Sequence, residues 1–338
     1  MKAVVWNGPN TKLSLQDIPI PRAGPGEIVI KVKASGLCGS DLSIAKGRMP
    51  LKTWPLVLGH QAGGVVHEVG ERGQTFKVGD RVVCTPDISC GICRYCRIGR
   101  TNLCRSLKRI GFEINGSDAE YVLTSERSVI ALPSSIDFEQ GAIAVDAVAS
   151  MYHALFVQAQ ARPGNKIILL GIGGMGIQAI EMAHLCGATV LVTSRSDKRL
   201  DFAKNLGADV LVNTTKQEVT KEAMEFTSSE GADIVIDSIG GSGTMKQAIE
   251  LLRPGGKIMV IGLMEPEFTL PYMKMVMLEA EVIGSRTATK QDVIDTLNLI
   301  AERRLHPVVT NKYPLSDFQS GFEALGKGEI FGRGVLVP

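Results

Sequence analysis

The sequence predicts an α/β protein in which a β-rich domain is joined to a doubly wound parallel sheet. The chain has 338 residues, which is long enough for two domains with separate cores. Its first part is dense in glycine and proline and contains short runs rich in valine and isoleucine. From about Ala149 onward, short apolar strands alternate with segments of helical spacing, a pattern typical of right-handed βαβ units.

Four runs in the first part predict strands of an antiparallel or barrel-like domain: EIVIKVKASG, GGVVHEVG, DRVVCTP and AEYVLTS. The last portion of the chain, from about Ser285, contains a helical segment, QDVIDTLNLIAERRL, and a closing strand, GRGVLVP. We expect this portion to return to the first domain. The predicted boundaries are 1–148 completed by 285–338 for the β-rich domain, and 149–284 for the doubly wound domain.

Composition argues against several classes of protein. The formal net charge is +2, and no basic run interleaves with aromatic residues, so the sequence offers no electrostatic footprint for nucleic acid. The N-terminus, MKAVVWNGPN, lacks the apolar core of a signal peptide. No stretch reaches the ~18 uninterrupted apolar residues of a membrane helix. We therefore expect a soluble, cytoplasmic protein with reduced thiols and with neither nucleic acid nor membrane as a partner.

One short stretch, SCGICRYCRIGRTNLC, concentrates four of the seven cysteines at the spacing C-x2-C-x2-C-x7-C. These cysteines are Cys90, Cys93, Cys96 and Cys104. Four thiolates within one loop can close a tetrahedron around Zn²⁺ and leave no open position, which predicts a structural rather than a catalytic zinc. The alternatives are a disulfide pair or unrelated free cysteines. A reducing compartment disfavours the first, and the close spacing disfavours the second.

The stretch KIILLGIGGMGIQAIEMA carries the pattern G-x-G-x-x-G, formed by Gly171, Gly173 and Gly176, between a predicted strand and a predicted helix. The first glycine permits a tight turn, and the second lets the backbone approach a pyrophosphate. The third glycine allows the helix to pack closely on the strand, and the helix N-terminus supplies N–H groups. This context predicts a dinucleotide site, in which Gly174 and Met175 also belong to the cofactor-binding turn.

The residues after the next strand, TVLVT, predict which dinucleotide is bound. NAD enzymes place an Asp or Glu at this strand end to bind the ribose 2′-OH. Here the strand runs into Ser194 and Arg195, with no carboxylate before Asp197. A hydroxyl followed by a guanidinium suits a 2′-phosphate, and Arg199 adds positive charge. The alternative is that these are ordinary basic residues at a helix start, although the helix dipole favours acids there. We predict NADP(H) rather than NAD(H).

Two further stretches, GLCGSDLSIAKG and LVLGHQAGGVVHEVG, complete a resemblance to the zinc-dependent medium-chain alcohol dehydrogenases. The likeness runs nearly end to end, from KAVVW through VGDRV to EIFGRGVLV. It implies a GroES-like catalytic domain built from both termini around a Rossmann domain. It also implies hydride transfer between a nicotinamide cofactor and a small-molecule alcohol or carbonyl substrate. By the same analogy, the protein is expected to be a homodimer or homotetramer.

The resemblance places a catalytic zinc on Cys38 of GLCGSD, on His60 of LGHQ, and on Asp146 of GAIAVDAVASMYHAL. A thiolate, an imidazole and a carboxylate form a sound zinc ligand set that leaves one position open. The alternative for Asp146 is a lone acid that caps or kinks a helix. An unpaired carboxylate is costly in such apolar surroundings, and a metal would remove that cost.

The resemblance also implies roles for residues around this zinc, which would act as a Lewis acid on the substrate oxygen. Ser40 would be the hydroxyl of a proton relay, and Asp41 would support the imidazole of the ligand histidine. Arg333 of EIFGR would face the cofactor, with a solvent-exposed salt bridge as the alternative. The chain departs from the family at Gln61, where relatives usually carry a Glu, and at Ser43, where some relatives carry a His.

Two other interpretations stay open at this point. The first is a zinc-independent quinone or enoyl reductase on the same scaffold, which the combination of Cys38, His60 and Asp146 disfavours. The second is a cofactor-binding protein without turnover. It would gain support if the catalytic zinc were absent while NADPH still bound tightly.

Overall fold

The computed structural model describes all residues from 1 to 338. The chain divides into two compact units, of which the first comprises Met1–Ala149 together with Ala288–Pro338 and the second comprises Ser150–Thr287. The first predicted division, after residue 148, lies one residue from the observed division after Ala149. The second, after residue 284, lies three residues from the observed division after Thr287.

Ten strands precede the second unit along the chain. Their bounds are β1 Lys2–Trp6, β2 Ser14–Asp17, β3 Glu27–Gly36, β4 Leu56–Val57, β5 Ala62–Val69, β6 Arg81–Cys84, β7 Asp87–Ile88, β8 Lys108–Arg109, β9 Tyr121–Ser125 and β10 Val129–Ala131. The four strands predicted in this part are confirmed as β3, β5, β6 and β9. Valine and isoleucine dominate them because branched side chains fit a pleated, half-buried surface.

The helices up to residue 152 are each short. Their bounds are α1 Gly39–Ala45, α2 Arg94–Arg97, α3 Phe138–Ile143 and α4 Ala149–Tyr152. The π-helical turn Ala144–Val148 joins α3 to α4, and a second one, His153–Gln158, continues α4. Together they form one helical segment of 21 residues. That segment, Phe138–Gln158, is long and apolar enough to cross a membrane by length and composition, but 78% of its most apolar window is buried. The core helix of a soluble protein passes the same test.

The second unit alternates strands and helices as the sequence predicts. Its strands are β11 Lys166–Leu170, β12 Thr189–Ser194, β13 Val210–Asn213, β14 Ala232–Asp237, β15 Leu252–Val260 and β16 Glu281–Gly284. Its helices are α5 Ala179–Leu185, α6 Asp197–Asn205, α7 Val219–Phe226, α8 Ser242–Leu251 and α9 Tyr272–Leu278. The stretch SGTMKQAIELLRPGG, predicted as helical, is helical only to Leu251. The chain then enters β15, because Pro254 and the glycines after it cannot continue a helix.

All six strands of the second unit pair in parallel, in the order β13-β12-β11-β14-β15-β16. Numbered within the unit, this order is 3-2-1-4-5-6, which is that of the doubly wound dinucleotide-binding sheet. The predicted fold class is therefore confirmed for this part of the chain. The carboxyl ends of the neighbouring strands β11 and β12 lie side by side, since Leu170 pairs with Thr193. This register places the glycine-rich turn next to Ser194.

The last part of the chain adds α10 Lys290–Ala301, β17 Val309–Pro314, α11 Phe318–Lys327 and β18 Arg333–Val337 to the first unit. Strand β18 pairs antiparallel with β3, where Leu336 faces Ser35, and β17 pairs in parallel with β18. The result is a seven-stranded sheet of order β10-β6-β5-β3-β18-β17, with β9 also paired to β3. This arrangement brings Arg333, near the C-terminus, close to the end of β3 and the segment that follows it.

Candidate functional site

Three ligand-type side chains from distant parts of the first unit converge at one place. The sulfur of Cys38, a ring nitrogen of His60 and a carboxylate oxygen of Asp146 all lie within 4.8 Å of one another. Cys38 follows β3 and is the N-cap of α1, His60 lies just before β5, and Asp146 lies in the first π-helical turn. Such turns are rare and often mark functional sites. We refer to these three residues as the buried cluster.

The carboxylate of Asp41 lies beside the histidine of the buried cluster. Asp41 is fully buried in α1, and one of its oxygens accepts a hydrogen bond from the Cys38 backbone N–H at 3.1 Å. Its other oxygen lies 3.3 Å from Nδ1 of His60. The opposite ring nitrogen, Nε2, lies 3.5 Å from Oδ2 of Asp146. An imidazole held at Nδ1 by a carboxylate presents Nε2 to a metal.

The electrostatics of the buried cluster favour ionised side chains. Burial alone would raise the pKa of the Cys38 thiol, but the charge of Arg333 and contact with His60 lower it to about 7. Burial would lower the pKa of His60, but the carboxylates of Asp41 and Asp146 raise it well above its usual value. Without a metal, the imidazole therefore carries the positive charge that balances these acids.

Asp146 has two further polar neighbours. The side-chain amide of Gln61 donates a hydrogen bond to Oδ2 of Asp146 at 2.9 Å. Nη2 of Arg333 lies 3.8 Å from the same oxygen, while Nη1 donates to the carbonyl of Leu37 at 3.1 Å. Arg333 is buried, so a solvent-exposed salt bridge is not what the structure shows. The sequence flagged Gln61 as a departure from the family but gave no sign of its contact with Asp146.

Two more polar groups lie in this part of the first unit. The hydroxyl of Ser40 is buried and has no hydrogen-bond partner. Asp118, which sequence reasoning missed, is fully buried and accepts a hydrogen bond from the Ser35 hydroxyl at 2.7 Å. Burial and the charge of Asp41 raise the pKa of Asp118 to about 7. Its side chain occupies the space next to Gly59, where a Cβ would collide with it. No sequence pattern around NGSDAEY marks this aspartate as buried.

The four cysteines of the SCGICRYCRIGRTNLC loop converge separately. Their sulfur atoms all lie within 4.8 Å of one another, and none is in a disulfide. Backbone N–H groups point at the sulfurs: the amide of Cys90 donates to Cys104 at 3.3 Å, and that of Cys93 donates to Cys90 at 3.4 Å. Backbone hydrogen bonds also lower the pKa of Cys93 to about 6. We refer to this group as the cysteine loop.

The glycine-rich turn has the backbone shape that its sequence predicts. Gly171 has a φ of +86°, and a Cβ there would lie 2.6 Å from Ile239. A Cβ on Gly173 would meet nothing within 4 Å, so that position opens onto free space. A Cβ on Gly176 would collide with the carbonyl oxygen of Gly171. Tight turn, open approach and close packing are the three functions expected of these glycines.

The residues predicted to select the cofactor surround the end of β12. Ser194 is the last residue of β12 and pairs with Asn213 of β13, whereas Arg195 is exposed. Arg199 of α6 reaches back to the glycine-rich turn, where Nη1 donates to the carbonyl of Ile172 at 3.3 Å. Asp197 is bound by two donors, Nδ2 of Asn213 and Nζ of Lys216, each at 2.6 Å.

Comparison with known proteins identifies the family. The sequence profile described as Zinc-binding dehydrogenase matches residues 174–302, and that of the Alcohol dehydrogenase GroES-like domain matches residues 24–134. The chain is 34% identical to a D-arabitol-phosphate dehydrogenase from Enterococcus avium, over 97% of this chain and 95% of that one. It is 33% identical to a sorbitol dehydrogenase from Halalkalibacterium halodurans, over 100% and 99% of the two chains.

The fold leads to the same conclusion. A crystal structure described as an NAD-dependent alcohol dehydrogenase superposes with a TM-score of 0.94 at 32% identity, covering 100% of both chains. The predicted combination of a GroES-like domain with a Rossmann domain is thereby confirmed. The chain belongs to the zinc-binding medium-chain alcohol dehydrogenases, and it is an NAD(P)-dependent oxidoreductase acting on small-molecule alcohols.

Proposed function

We propose that this protein is a zinc-dependent alcohol dehydrogenase or carbonyl reductase that uses NADP(H), with its catalytic zinc on Cys38, His60 and Asp146. The observation that carries the proposal is the convergence of one thiol, one imidazole and one carboxylate within 4.8 Å in the first unit. Three protein ligands of these types leave the fourth position of a tetrahedral zinc open, as a catalytic site requires.

The surroundings of the buried cluster fit a zinc ion. Asp41 and Asp146 are buried beside a cysteine whose pKa is close to neutrality, so the site holds more acidic groups than Arg333 alone can balance. A bound divalent cation would compensate these charges without the need to protonate His60. Asp41 lies 3.3 Å from Nδ1 of His60, so Nε2 is the ring nitrogen that remains to face a metal.

Ser40 and Arg333 would contribute to the reaction in different ways. When bound, zinc supplies a Lewis acid for the substrate oxygen, and the nicotinamide cofactor carries the hydride. The hydroxyl of Ser40 lacks a partner within the protein and is therefore available to exchange a proton with a substrate hydroxyl. Arg333 is anchored by the Leu37 carbonyl and places its positive charge beside Asp146. A role of Arg333 toward the cofactor remains part of the proposal.

We also propose that the cysteine loop holds a structural zinc. Four sulfur ligands fill a tetrahedral shell. Backbone N–H groups favour the thiolate forms of Cys90 and Cys104, whereas burial raises the pKa of Cys96 to about 11, and a bound zinc ion would supply the charge that ionises it. A closed shell offers no position for a substrate. Thiolates that hold zinc must stay reduced, which suits a cytoplasmic location.

The preference for NADP(H) rests on the end of β12. Ser194 stands where an NAD enzyme would carry an acid, and Arg195 follows it with an exposed guanidinium. The nearest carboxylate along the chain, Asp197, is bound to Asn213 and Lys216 and is thereby partly neutralised. We expect NADPH to bind more tightly than NADH, and Ser194→Asp to reverse the order. Fluorescence titration of both cofactors tests this, and a wild-type preference for NADH would refute it.

The zinc proposal is tested by elemental analysis of the wild type and of Asp146→Ala. Two zinc ions per chain, falling to about one in the variant with loss of activity, would support Asp146 as the third ligand. One zinc in both proteins would leave only the cysteine loop occupied. That result would refute zinc catalysis and favour a zinc-independent reductase or a cofactor-binding protein. Polyols and their phosphates are the first substrates to assay, since the relatives named above act on arabitol phosphate and sorbitol.

A homodimer or homotetramer is the expected assembly, and one surface of the second unit supports it. Helix α9 has no buried residue, and Tyr272, Met273 and Met277 are each more than 70% exposed. Strand β16 forms one edge of the parallel sheet. An exposed apolar helix face and an uncovered strand edge are each typical of an interface. Light scattering should show a dimer or larger species that Met273→Lys weakens, and a monomeric wild type would refute the assembly.

A further inference from the structure

Gln61 is a buried amide with a tightly defined position. It directly follows His60, its side chain is fully buried, and its backbone carbonyl oxygen accepts a hydrogen bond from the backbone N–H of Gly36 at 2.9 Å. The absence of a side chain on Gly36 makes room for it, because a Cβ there would lie 2.5 Å from Oε1 of Gln61. The backbone and the packing therefore fix where the amide points.

That amide points at Asp146, which is 85 residues away in sequence. Nε2 of Gln61 donates to Oδ2 of Asp146 at 2.9 Å, and the same oxygen lies 3.5 Å from Nε2 of His60. The orientation of the amide is determined by its partner. A carboxylate accepts hydrogen bonds, so the NH₂ group rather than the amide oxygen must face it. Arg333 is farther from the same oxygen, at 3.8 Å.

We propose that Gln61 is a positioning residue for the zinc site, whose amide holds the Asp146 carboxylate in the orientation that completes the Cys38–His60 pair. This inference rests on the zinc site proposed above. Asp146 projects from a π-helical turn, and its carboxylate can rotate about its side-chain bonds. A donor fixed in the segment just before β5 removes that freedom before the metal arrives. Hydrogen bonds to ligand residues typically contribute about 10- to 100-fold to metal affinity.

An amide suits this position better than an acid would. The site already contains the acidic side chains of Asp41 and Asp146 and the ionisable thiol of Cys38. A neutral amide donates its hydrogen bond at every pH and adds no negative charge, whereas an acid would face Asp146 with like charge. Gln61 thus links the segment before β5, which supplies His60, to the helical turn that supplies Asp146.

The competing explanation is that Gln61 merely fills space beneath β3. Two comparisons distinguish these explanations. The first compares Gln61→Met with the wild type, and the second compares the double variant Gln61→Met, Asp146→Ala with Asp146→Ala alone. Methionine preserves most of the volume but cannot donate a hydrogen bond. We would measure zinc affinity at the buried cluster by competition with a chelator in the wild-type background, and by titration with excess zinc in Asp146→Ala, which keeps Cys38 and His60 as ligands. Gln178→Met is a control for the loss of a buried glutamine in the other unit.

If Gln61 acts through Asp146, Gln61→Met weakens zinc binding about 10- to 100-fold in the wild type and less than about twofold in Asp146→Ala. Equal weakening in both backgrounds, or none in the wild type, would overturn the inference. If Gln61→Met fails to fold, Gly36→Ala provides the second perturbation, since it displaces the amide without altering a ligand. A folded Gly36→Ala protein with unchanged zinc affinity would also overturn it.

The same data distinguish a failure of this inference from a failure of the zinc proposal. If Asp146→Ala loses a zinc ion while Gln61→Met keeps wild-type affinity, the zinc site stands and the role of Gln61 is refuted. If the wild type binds zinc only in the cysteine loop, both proposals are refuted. Circular dichroism and cooperative thermal unfolding of each variant verify that the first unit is folded.

Discussion

The cysteine loop and the buried cluster are both groups of metal-ligating side chains in the same unit, but they are built in opposite ways. The loop draws four identical ligands from one short stretch, Cys90 to Cys104, and three of its cysteines are half-exposed. The buried cluster draws three different ligands from a strand end, a loop and a helical turn that are far apart in sequence. A local, uniform set can close around a metal and stabilise a loop. A dispersed, mixed set forms only when the whole unit is folded, and it leaves room for a substrate.

The largest expected effect comes from removing the thiolate of the buried cluster. Cys38→Ala should lower kcat/KM by roughly 10³-fold or more, because the Lewis acid contributes several kcal/mol to the transition state. The unfolding temperature of the zinc-free proteins, compared in the presence of a chelator, should change little, since Cys38 is not part of a large apolar cluster. Steady-state kinetics and thermal unfolding measure both. A variant that keeps more than a tenth of the activity would show that the buried cluster is not where the chemistry occurs.

Removal of a ligand from the cysteine loop should affect stability instead. Cys104→Ala is expected to lose one zinc ion and about 3–4 kcal/mol of unfolding free energy, the linkage value for a ligand present at ~100 to 1,000 times its Kd. The folded fraction should keep its kcat within about threefold. Denaturant unfolding and kinetics on the same preparation test this.

Cys186→Ala is the matched control for the cysteine loop, because this half-buried thiol lies outside both groups. It should leave the zinc content unchanged. If Cys104→Ala were as stable as Cys186→Ala, the contrast between a structural loop and a chemical cluster would fail.

A third variant separates metal binding from proton transfer within the buried cluster. Ser40→Ala should lower kcat by about 100-fold, the lower range for loss of a general acid–base group, with zinc content unchanged. Ser43→Ala is the control, since its hydroxyl donates to the Gly39 carbonyl at 3.0 Å and is exposed. Equal activity of the two variants would remove Ser40 from the proton path.

The smallest expected effect is the pH dependence of zinc binding at the buried cluster. Cys38 has a pKa of about 7 in the metal-free protein, and the pKa of His60 is raised, so zinc must displace protons from both. Affinity should therefore fall as the pH falls, by about tenfold between pH 8 and pH 6 from Cys38 alone, with a further loss from His60. Chelator competition at both pH values measures it. Affinity that is independent of pH would mean that these two side chains are not the ligands.

The difference between the two groups also explains how much the sequence could predict. The spacing of the four cysteines identifies the loop directly, because all ligands lie within one short stretch. The alternating strands and helices predict the parallel sheet, and the three glycines predict their own backbone roles. Cys38, His60 and Asp146, in contrast, are assigned by resemblance to a family, since nothing local in the sequence relates them.

Contacts that depend on side-chain orientation lie beyond sequence reasoning. The hydrogen bond from Gln61 to Asp146 joins the segment before β5 to a π-helical turn 85 residues later in the chain. Asp118 is buried against Gly59 by strand packing, and its sequence context resembles an ordinary turn. The end of β12 could be predicted only in part. Ser194 and Arg195 can be identified in the sequence, but the ion pair between Asp197 and Lys216 cannot.

The π-helical turn Ala144–Val148 makes the third ligand sensitive to insertions and deletions. Such a turn contains one residue more than the corresponding α-helical turn. Deletion of Ala147 would remove the extra residue and let the turn close as a regular α-helical turn, which changes the direction in which Asp146 projects. Asp146 would leave the ligand set although every ligand residue was still present, and circular dichroism would report a normal helix while the zinc count fell by one. The number of residues in this turn is therefore as much a determinant of the metal site as the identity of its aspartate.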